Sequence, residues 1–256
     1  MHLHLSTWQE IESYLLRSKG IVIPTGSTEQ HGPNGLIGTD AICPTAIASH
    51  AAMGADLLVG PTLALGAAQF NLKFPGTISL RPSTLMSVVE DYVLSLASQG
   101  FQNFYFINGH GGNLAPVRSA FQEIYTSYSL GANESPVPRC RLQSWWQYPE
   151  TNILRQSLYA EKEGAHATPS EVAMVQYAFP EHIKDVSLGT WHPVSLEYLS
   201  NHADDDHYEA SSHRRRHPDD RIGSDPGLAN LEDGQRLLET AAKELLEDYQ
   251  AFLKEE

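Results

Sequence analysis

The chain is poor in cysteine and in positive charge, and both shortages narrow what it can be. Only Cys43 and Cys140 occur among 256 residues. That is too few for a disulfide framework in a chain this long, and neither belongs to a Cys-x-x-Cys pair, so a reducing cytoplasm is the expected compartment. Lysine and arginine number 17 against 31 aspartate and glutamate, for a formal charge of -14. Affinity for a phosphate backbone comes from clustered cations, so nucleic acid is not an expected partner. The one dense basic run, Arg214 to Arg216, sits among Asp204, Asp205, Asp206, Asp219 and Asp220 and reads as a solvated, locally neutralised loop. No stretch approaches the roughly 18 uninterrupted apolar residues of a membrane span, and no basic segment leads into an apolar run near Met1. A membrane is not expected either.

What is present is enough for one sizeable core: 41% of the residues are hydrophobic, which suits a single domain over 1–256. A capping signal at Ser6/Gln9 or Thr7/Glu10 opens a helix with Trp8, Ile11 and Leu15 on one face. Ile21, Val22 and Ile23 read as a strand covered on both faces and ended by Pro24. A helix is expected from about Ala41 to Met53, a strand at Leu57 to Val59, and a long loop from Gly60 to Pro82. Ser83 opens a helix carrying Met86, Val89, Val93 and Leu96. Phe104 to Ile107 form a buried strand, after which Asn113 can cap the next helix. Arg141 to Trp146 alternate as a strand, and the last helix carries Leu238, Ala241, Leu245, Tyr249 and Phe252 on one stripe. Such alternation predicts an α/β fold, a three-layer αβα sandwich with a mainly parallel central sheet. A polar, mobile excursion is expected around 201–225.

In such folds ligands bind beyond the carboxyl ends of the strands. Two motifs fall there. Thr28-Glu29-Gln30-His31-Gly32, with Asp40 a few residues on, follows the first strand, and Asn108-Gly109-His110-Gly111-Gly112-Asn113 follows the Ile107 strand. A third, His166-Ala167-Thr168-Pro169-Ser170-Glu171, comes later. Imidazoles and carboxylates without thiolates suit zinc, manganese or iron(II), and a carboxylate such as Asp40 can bridge a pair of them. Paired cations bring the pKa of water from near 15.7 to about 7 and steady a developing oxyanion. Each residue also has a plainer reading. Glu29 and His31 suit a polar turn, Asp40 a helix cap, and the glycines around His110 a tight turn. Thr168 and Glu171 match a capping box with proline in the first turn, and His166 suits a satisfied surface or core position.

Taken together, these blocks resemble the creatininase, or creatinine amidohydrolase, family. The resemblance runs from the Ile21 strand through the Gly223-Ser224-Asp225-Pro226 turn and the final helix. It implies the αβα fold, two divalent metal ions (Zn, Mn or Fe(II)), hydrolysis of carbon–nitrogen bonds in amides other than ordinary peptides, and a homo-oligomer, often a hexamer. Carried over, the family pattern makes Glu29 and His110 ligands of one ion, His31 and Glu171 ligands of the other, and Asp40 the bridge. The third signature in the family usually continues from histidine through alanine and glycine to Glu-Thr-Ser, and this chain departs from it. Members that open the creatinine ring carry a carboxylate two residues after the histidine matched by His110; here that position is Gly112, which points to another small amide.

The expected reaction is attack of metal-activated water on a formamide, cyclic amide or related small amide. His166 would be the catalytic proton donor to the leaving nitrogen, with Gly111, Gly112 and Trp145 as candidate oxyanion or substrate contacts. Trp146 and Trp191 are further candidates for an aromatic wall. A dinuclear phosphoesterase and a non-catalytic metal-binding or assembly protein are the alternatives. His2, His4, His50, His182 and His192 receive no role, and His202, His207, His213 and His217 are expected to face solvent.

Overall fold

Three strands, β1 (Gly20–Thr25), β2 (Asn103–Asn108) and β3 (Arg139–Ser144), run parallel in the order β1-β2-β3 in the computed structural model. It describes residues 1–131, 136–195, 197–199 and 209–255. Ile21 lies opposite Phe104, and Phe104 opposite Cys140. Side chains alternate across the sheet, so Ile21, Ile23, Phe104 and Phe106 enter one apolar core while Val22, Tyr105 and Ile107 enter the other.

β1 does not end at Pro24, as the sequence suggests; it continues to Thr25. Alternate β1 residues bond away from β2: Val22 N–H donates to Leu58 O, and Pro24 O accepts from Leu63 N–H. The missing N–H of Pro24 therefore faces this irregular outer segment, where Pro61 has already interrupted the ladder, and costs no central bond. For the same reason Leu57 to Val59 make only isolated bridges, through Val59 to His2 and Val22, rather than a full strand.

The helices form the outer layers. On one face lie α1 (Trp8–Leu15), α3 (Pro82–Ala97) and α4 (Leu114–Ser129). On the other lie α2 (Thr39–Ala51), α5 (Pro149–Tyr159), α6 (Pro169–Ala178) and α8 (Leu231–Lys254). The short α7 (Ala210–Arg216) packs on the turn at Gln69–Asn71. The result is the expected αβα arrangement.

Three local expectations are corrected. Thr7 and Glu10 do form the capping box of α1, but that helix buries Tyr14, whose hydroxyl donates to Gly20 O, and leaves Trp8 67% exposed. Helix α3 starts at Pro82 rather than Ser83, proline occupying the first turn where its absent N–H is harmless. Asn113 does not cap α4. Its amide donates to Gly26 O and its Oδ1 accepts from Ala67 N–H, tying together two loops at the strand ends. The stripe Leu238, Ala241, Leu245, Tyr249 and Phe252 is buried along α8 as its spacing predicts. No helix among the described residues is long and apolar enough to cross a membrane.

Candidate metal centre

The strand ends and the start of α2 meet through two glycines. A Cβ on Gly26, just past β1, would stand 2.2 Å from the Asp40 carbonyl oxygen, and one on Gly109, just past β2, would stand 2.1 Å from the same atom. Only glycine permits that approach. It brings Asp40 between the two strand-end loops. Asp40 does not cap α2, whose N-cap is Gly38; it lies in the first turn and turns its carboxylate into the cleft.

Glu29, His31, Asp40, His110, His166 and Glu171 all converge there. The five metal-ligand candidates among them, every one except His166, are between 0% and 9% exposed. Ionised carboxylates are not tolerated at such depth without nearby positive charge. The two histidines of that five are oriented alike. His31 holds Nδ1 3.1 Å from its neighbour's carbonyl, Glu29 O, and turns Nε2 to Asp40 Oδ1 at 3.0 Å and Glu171 Oε1 at 3.9 Å. His110 donates from Nε2 to Ala67 O at 3.0 Å and turns Nδ1 to Asp40 Oδ2 at 3.0 Å and Glu29 Oε1 at 3.4 Å. A carbonyl accepts only from N–H, so each ring presents its other nitrogen to carboxylates. Without a shared cation that nitrogen must also be protonated. Backbone-anchored imidazoles whose second nitrogen faces acidic oxygens are the arrangement that metal-ligating histidines adopt.

Charge coupling in the cleft points the same way. Burial alone lowers the histidines, yet Asp40, Glu171 and Glu29 raise His31 to about 10, and Glu29 with Asp40 raises His110 to about 9. Burial pushes Glu29 up to about 8 and Glu171 up to about 7, against the pull of the histidines. Burial also pushes Asp40 up, but His31 and His110 more than reverse it. Glu29 Oε1 and Asp40 Oδ2 are buried with no donor in full hydrogen-bonding geometry, each facing only His110 Nδ1 at 3.4 Å and 3.0 Å among the ligand candidates. Three ligand atoms from Glu29, Asp40 and His110, and three from His31, Asp40 and Glu171, lie within 4.8 Å of one another in each group, with Asp40 common to both. The donor set, its charge and its buried carboxylate oxygens fit divalent cation binding. Glu29, His31 and His166 make a third such group.

Glu171 is part of the helix cap and also lies beside His31. It closes the capping box of α6, accepting from Thr168 N–H at 2.6 Å, and still faces His31. His166 is held by its backbone against Ile222, and Ser224 donates to its carbonyl oxygen. Its Nε2 lies 3.0 Å from Gln30 O and 3.5 Å from Asp220 Oδ2, and its Nδ1 lies 3.8 Å from Glu29 Oε1. The Gln30 side-chain amide nitrogen is also 3.0 Å from Nε2; Gly32 N–H on Oε1 fixes its orientation, so one of its two hydrogens donates to Asn71 Oδ1 and the other faces the His166 ring.

A cavity of ≈ 290 Å³ opens over these groups, lined by Phe70, Gly111, Gly112, Trp145, Trp146 and Arg155 among others. Trp145 is both cavity wall and core, at 1% exposure. Trp191 is elsewhere, donating to Gly223 O under the Lys162 ammonium. Arg155 stacks on Trp145 and pairs with Glu163 at 2.7 Å.

The polar stretch is the largest correction to the sequence reading. Residues 201–208, with His202 and His207, lie outside the described residues, but His213 and His217 do not face solvent: they are 1% and 8% exposed. His213 Nε2 meets Asp220 Oδ1 at 2.5 Å, and the Tyr198 hydroxyl meets His217 Nε2 at 2.8 Å. Burial pulls His213 down to about 4 and pushes Asp220 up to about 8, so the pair shares one proton without separating charge. Arg214 is not simply solvated either, since it covers Phe74 and donates to Lys73 O. Gln30, Arg155, His213 and Asp220 are the site residues that pattern reading missed. Gln30 sits inside a recognised motif, whereas nothing local distinguishes Asp220 from its neighbour Asp219.

The model of the creatininase family, described as creatinine amidohydrolase, matches residues 4–249. A mycofactocin precursor peptide peptidase of Mycolicibacterium smegmatis is 36% identical over 106 residues, 39% of this chain and 42% of that protein. The chain thus spans less than half the length of that curated relative. A creatinine amidohydrolase of Pseudomonas putida is 28% identical over 165 residues, 60% of this chain and 61% of that one. A 3-dehydro-scyllo-inosose hydrolase of Thermotoga maritima is 27% identical over 112 residues, covering 43% and 36%. Among solved structures, a creatinine amidohydrolase (creatininase) superposes with TM-score 0.78 at 20% identity over 100% of this chain and 98% of that one, a likeness of fold.

Proposed function

Because the chain belongs to the creatininase family, we propose that it is a metal-dependent hydrolase of carbon–nitrogen bonds in small amides, formamide, cyclic amide or related. The observation that carries this reading is the matched pair His31 and His110. Each is anchored through one nitrogen to a backbone carbonyl and offers the other to carboxylates around Asp40. Glu29, Asp40 and His110 would hold one divalent ion, and His31, Asp40 and Glu171 a second, each being Zn, Mn or Fe(II). When bound, such ions act as Lewis acids toward a carbonyl oxygen and acidify water.

The protein's own groups do the rest. Trp145, Trp146 and Phe70 exclude water from the face of a planar substrate. Gly111, where a Cβ would meet nothing within 4 Å, leaves the wall beside His110 open, and the backbone of Gly111 and Gly112 lines the cavity where a substrate carbonyl would sit. With Nε2–H donated to Gln30 O, His166 Nδ1 would take the proton released by the attacking water and pass it to the leaving nitrogen. A phosphoester fits less well. Arg155 is the one lysine or arginine among the described residues lining the cavity, and Glu163 already neutralises it.

Metal analysis joined to turnover tests the reading. Wild type purified without chelator is expected to hold roughly two transition-metal equivalents per chain, Asp40→Ala to lose most of both, and only the loaded wild type to turn over. A panel of formamides, cyclic amides, short peptides and phosphoesters reads the substrate class; the short peptides are included because of the relative named as a peptidase. Full metal retention by Asp40→Ala would remove the shared carboxylate from the centre, and turnover of phosphoesters alone would replace the amide reading.

A further inference from the structure

We propose that Asp220 is a positioning residue that holds His166 as the Nε2–H tautomer, so that Nδ1 faces Glu29 and the ligand cluster. The inference rests on the proposed role of His166 in proton transfer and adds a residue that lies outside the three motifs. Asp220 is 0% exposed, and its backbone has φ 59°, a left-handed conformation uncommon outside glycine, asparagine and aspartate. One oxygen, Oδ1, is fixed by His213 Nε2 at 2.5 Å. The other, Oδ2, is buried without a hydrogen bond and lies 3.5 Å from His166 Nε2.

The surroundings make this a built arrangement. His213 is clamped between the rings of Phe70 and His217, with centroids 5.2 Å and 5.3 Å away. Two residues beyond Asp220, Ile222 bridges to the backbone of His166, and Ser224 donates to the His166 carbonyl. One segment thus grips the main chain of His166 and aims a carboxyl group at its ring. Gln30 offers His166 Nε2 both an acceptor, its main-chain carbonyl oxygen, and a donor, its side-chain amide, each at 3.0 Å; Asp220 Oδ2 at 3.5 Å is the further oxygen on that side and weighs toward a proton on Nε2. A carboxyl group that orients a histidine in this way acts through the histidine, not on the substrate.

The test compares Asp220→Asn, Asp220→Ala and Asp220→Gly in the full-length, zinc-loaded protein. The primary readout is the ¹⁵N shifts of the His166 ring, assigned with His166→Gln. The asparagine amide can donate to neutral His213 and accept from His166, so it is expected to keep the Nε2–H tautomer. The alanine variant lacks the acceptor and is expected to show a mixture of tautomers. The glycine variant removes the same acceptor while relieving the left-handed backbone, so it reports even where alanine does not fold. Metal content is expected to stay within about twofold of wild type in all three, because Asp220 ligates nothing. On any amide the wild type hydrolyses, loss of the acceptor is expected to lower kcat at least tenfold, as weakened general acid–base catalysis does, with KM little changed and activity rescued by asparagine. An unaltered Nε2–H tautomer in both alanine and glycine variants overturns the proposal. A tautomer shift in those variants supports it even when the wild type hydrolyses no amide, a result that would instead remove the amidohydrolase reading.

Discussion

A Cβ on Gly112 would stand 2.3 Å from the Ala67 carbonyl oxygen and 2.7 Å from His110 Nε2. Ala67 O is the acceptor that anchors His110, so any side chain at 112 displaces the histidine or its anchor. Gly112→Ala is therefore expected to weaken metal binding roughly 10–100-fold, as loss of a supporting contact around a ligand does; titration with zinc against a competing chelator measures it. The loop around Ala67 occupies the space that a side chain at this position would need. The gathering of Glu29, His31, Asp40, His110 and Glu171 at one cleft could be read from three short motifs, because each sits beside a strand end or a cap. The room left at Gly112 could not, since Ala67 is far from it in sequence.

Helix α6 shows one residue meeting two demands. Thr168 accepts from Glu171 N–H, and Glu171 accepts from Thr168 N–H, closing the box while Glu171 also faces His31. Thr168→Ala is expected to cost about 1 kcal/mol and to lower the melting temperature by roughly 2–4 °C, read by thermal denaturation of the zinc-loaded protein. This cap was legible because its signals lie within four residues of chain. The proposed cap at Asn113 was not correct, although the residue type was right: Gly26 O and Ala67 N–H compete for its amide. Likewise Pro24 reads as a strand end, yet which edge its missing N–H faces depends on where Leu63 runs.

Acid stability belongs to the molecule as a whole. Burial, aided by the Arg216 charge and by repulsion that would arise if neighbouring His213 were also protonated, lowers His217 to about 4 in the folded protein, against about 6.5 when unfolded. Between these values the unfolded chain binds more protons, so stability that is complete above the unfolded pKa falls as the pH drops toward the folded one. The loss is on the order of 1–3 kcal/mol. The His213–Asp220 pair adds little to this slope, because its single shared proton matches the one that unfolded His213 binds in the same window. Urea midpoints at about pH 7 and pH 4.5 are expected to differ less in His217→Gln than in wild type, and an identical difference would remove His217 as a source.

Sequence alone determined the alternation of strands and helices, hence the αβα layers, and the inventory of imidazoles and carboxylates at the strand ends. Periodicity and caps are local properties, written within a few residues. Tertiary structure decided which nitrogen of each histidine faces the cleft, that His213 and His217 are buried, and that Asp220 rather than Asp219 meets His166. These depend on contacts between distant segments, such as Gln30 with His166 across 136 positions, and a side chain's environment there is set by the path of the whole chain.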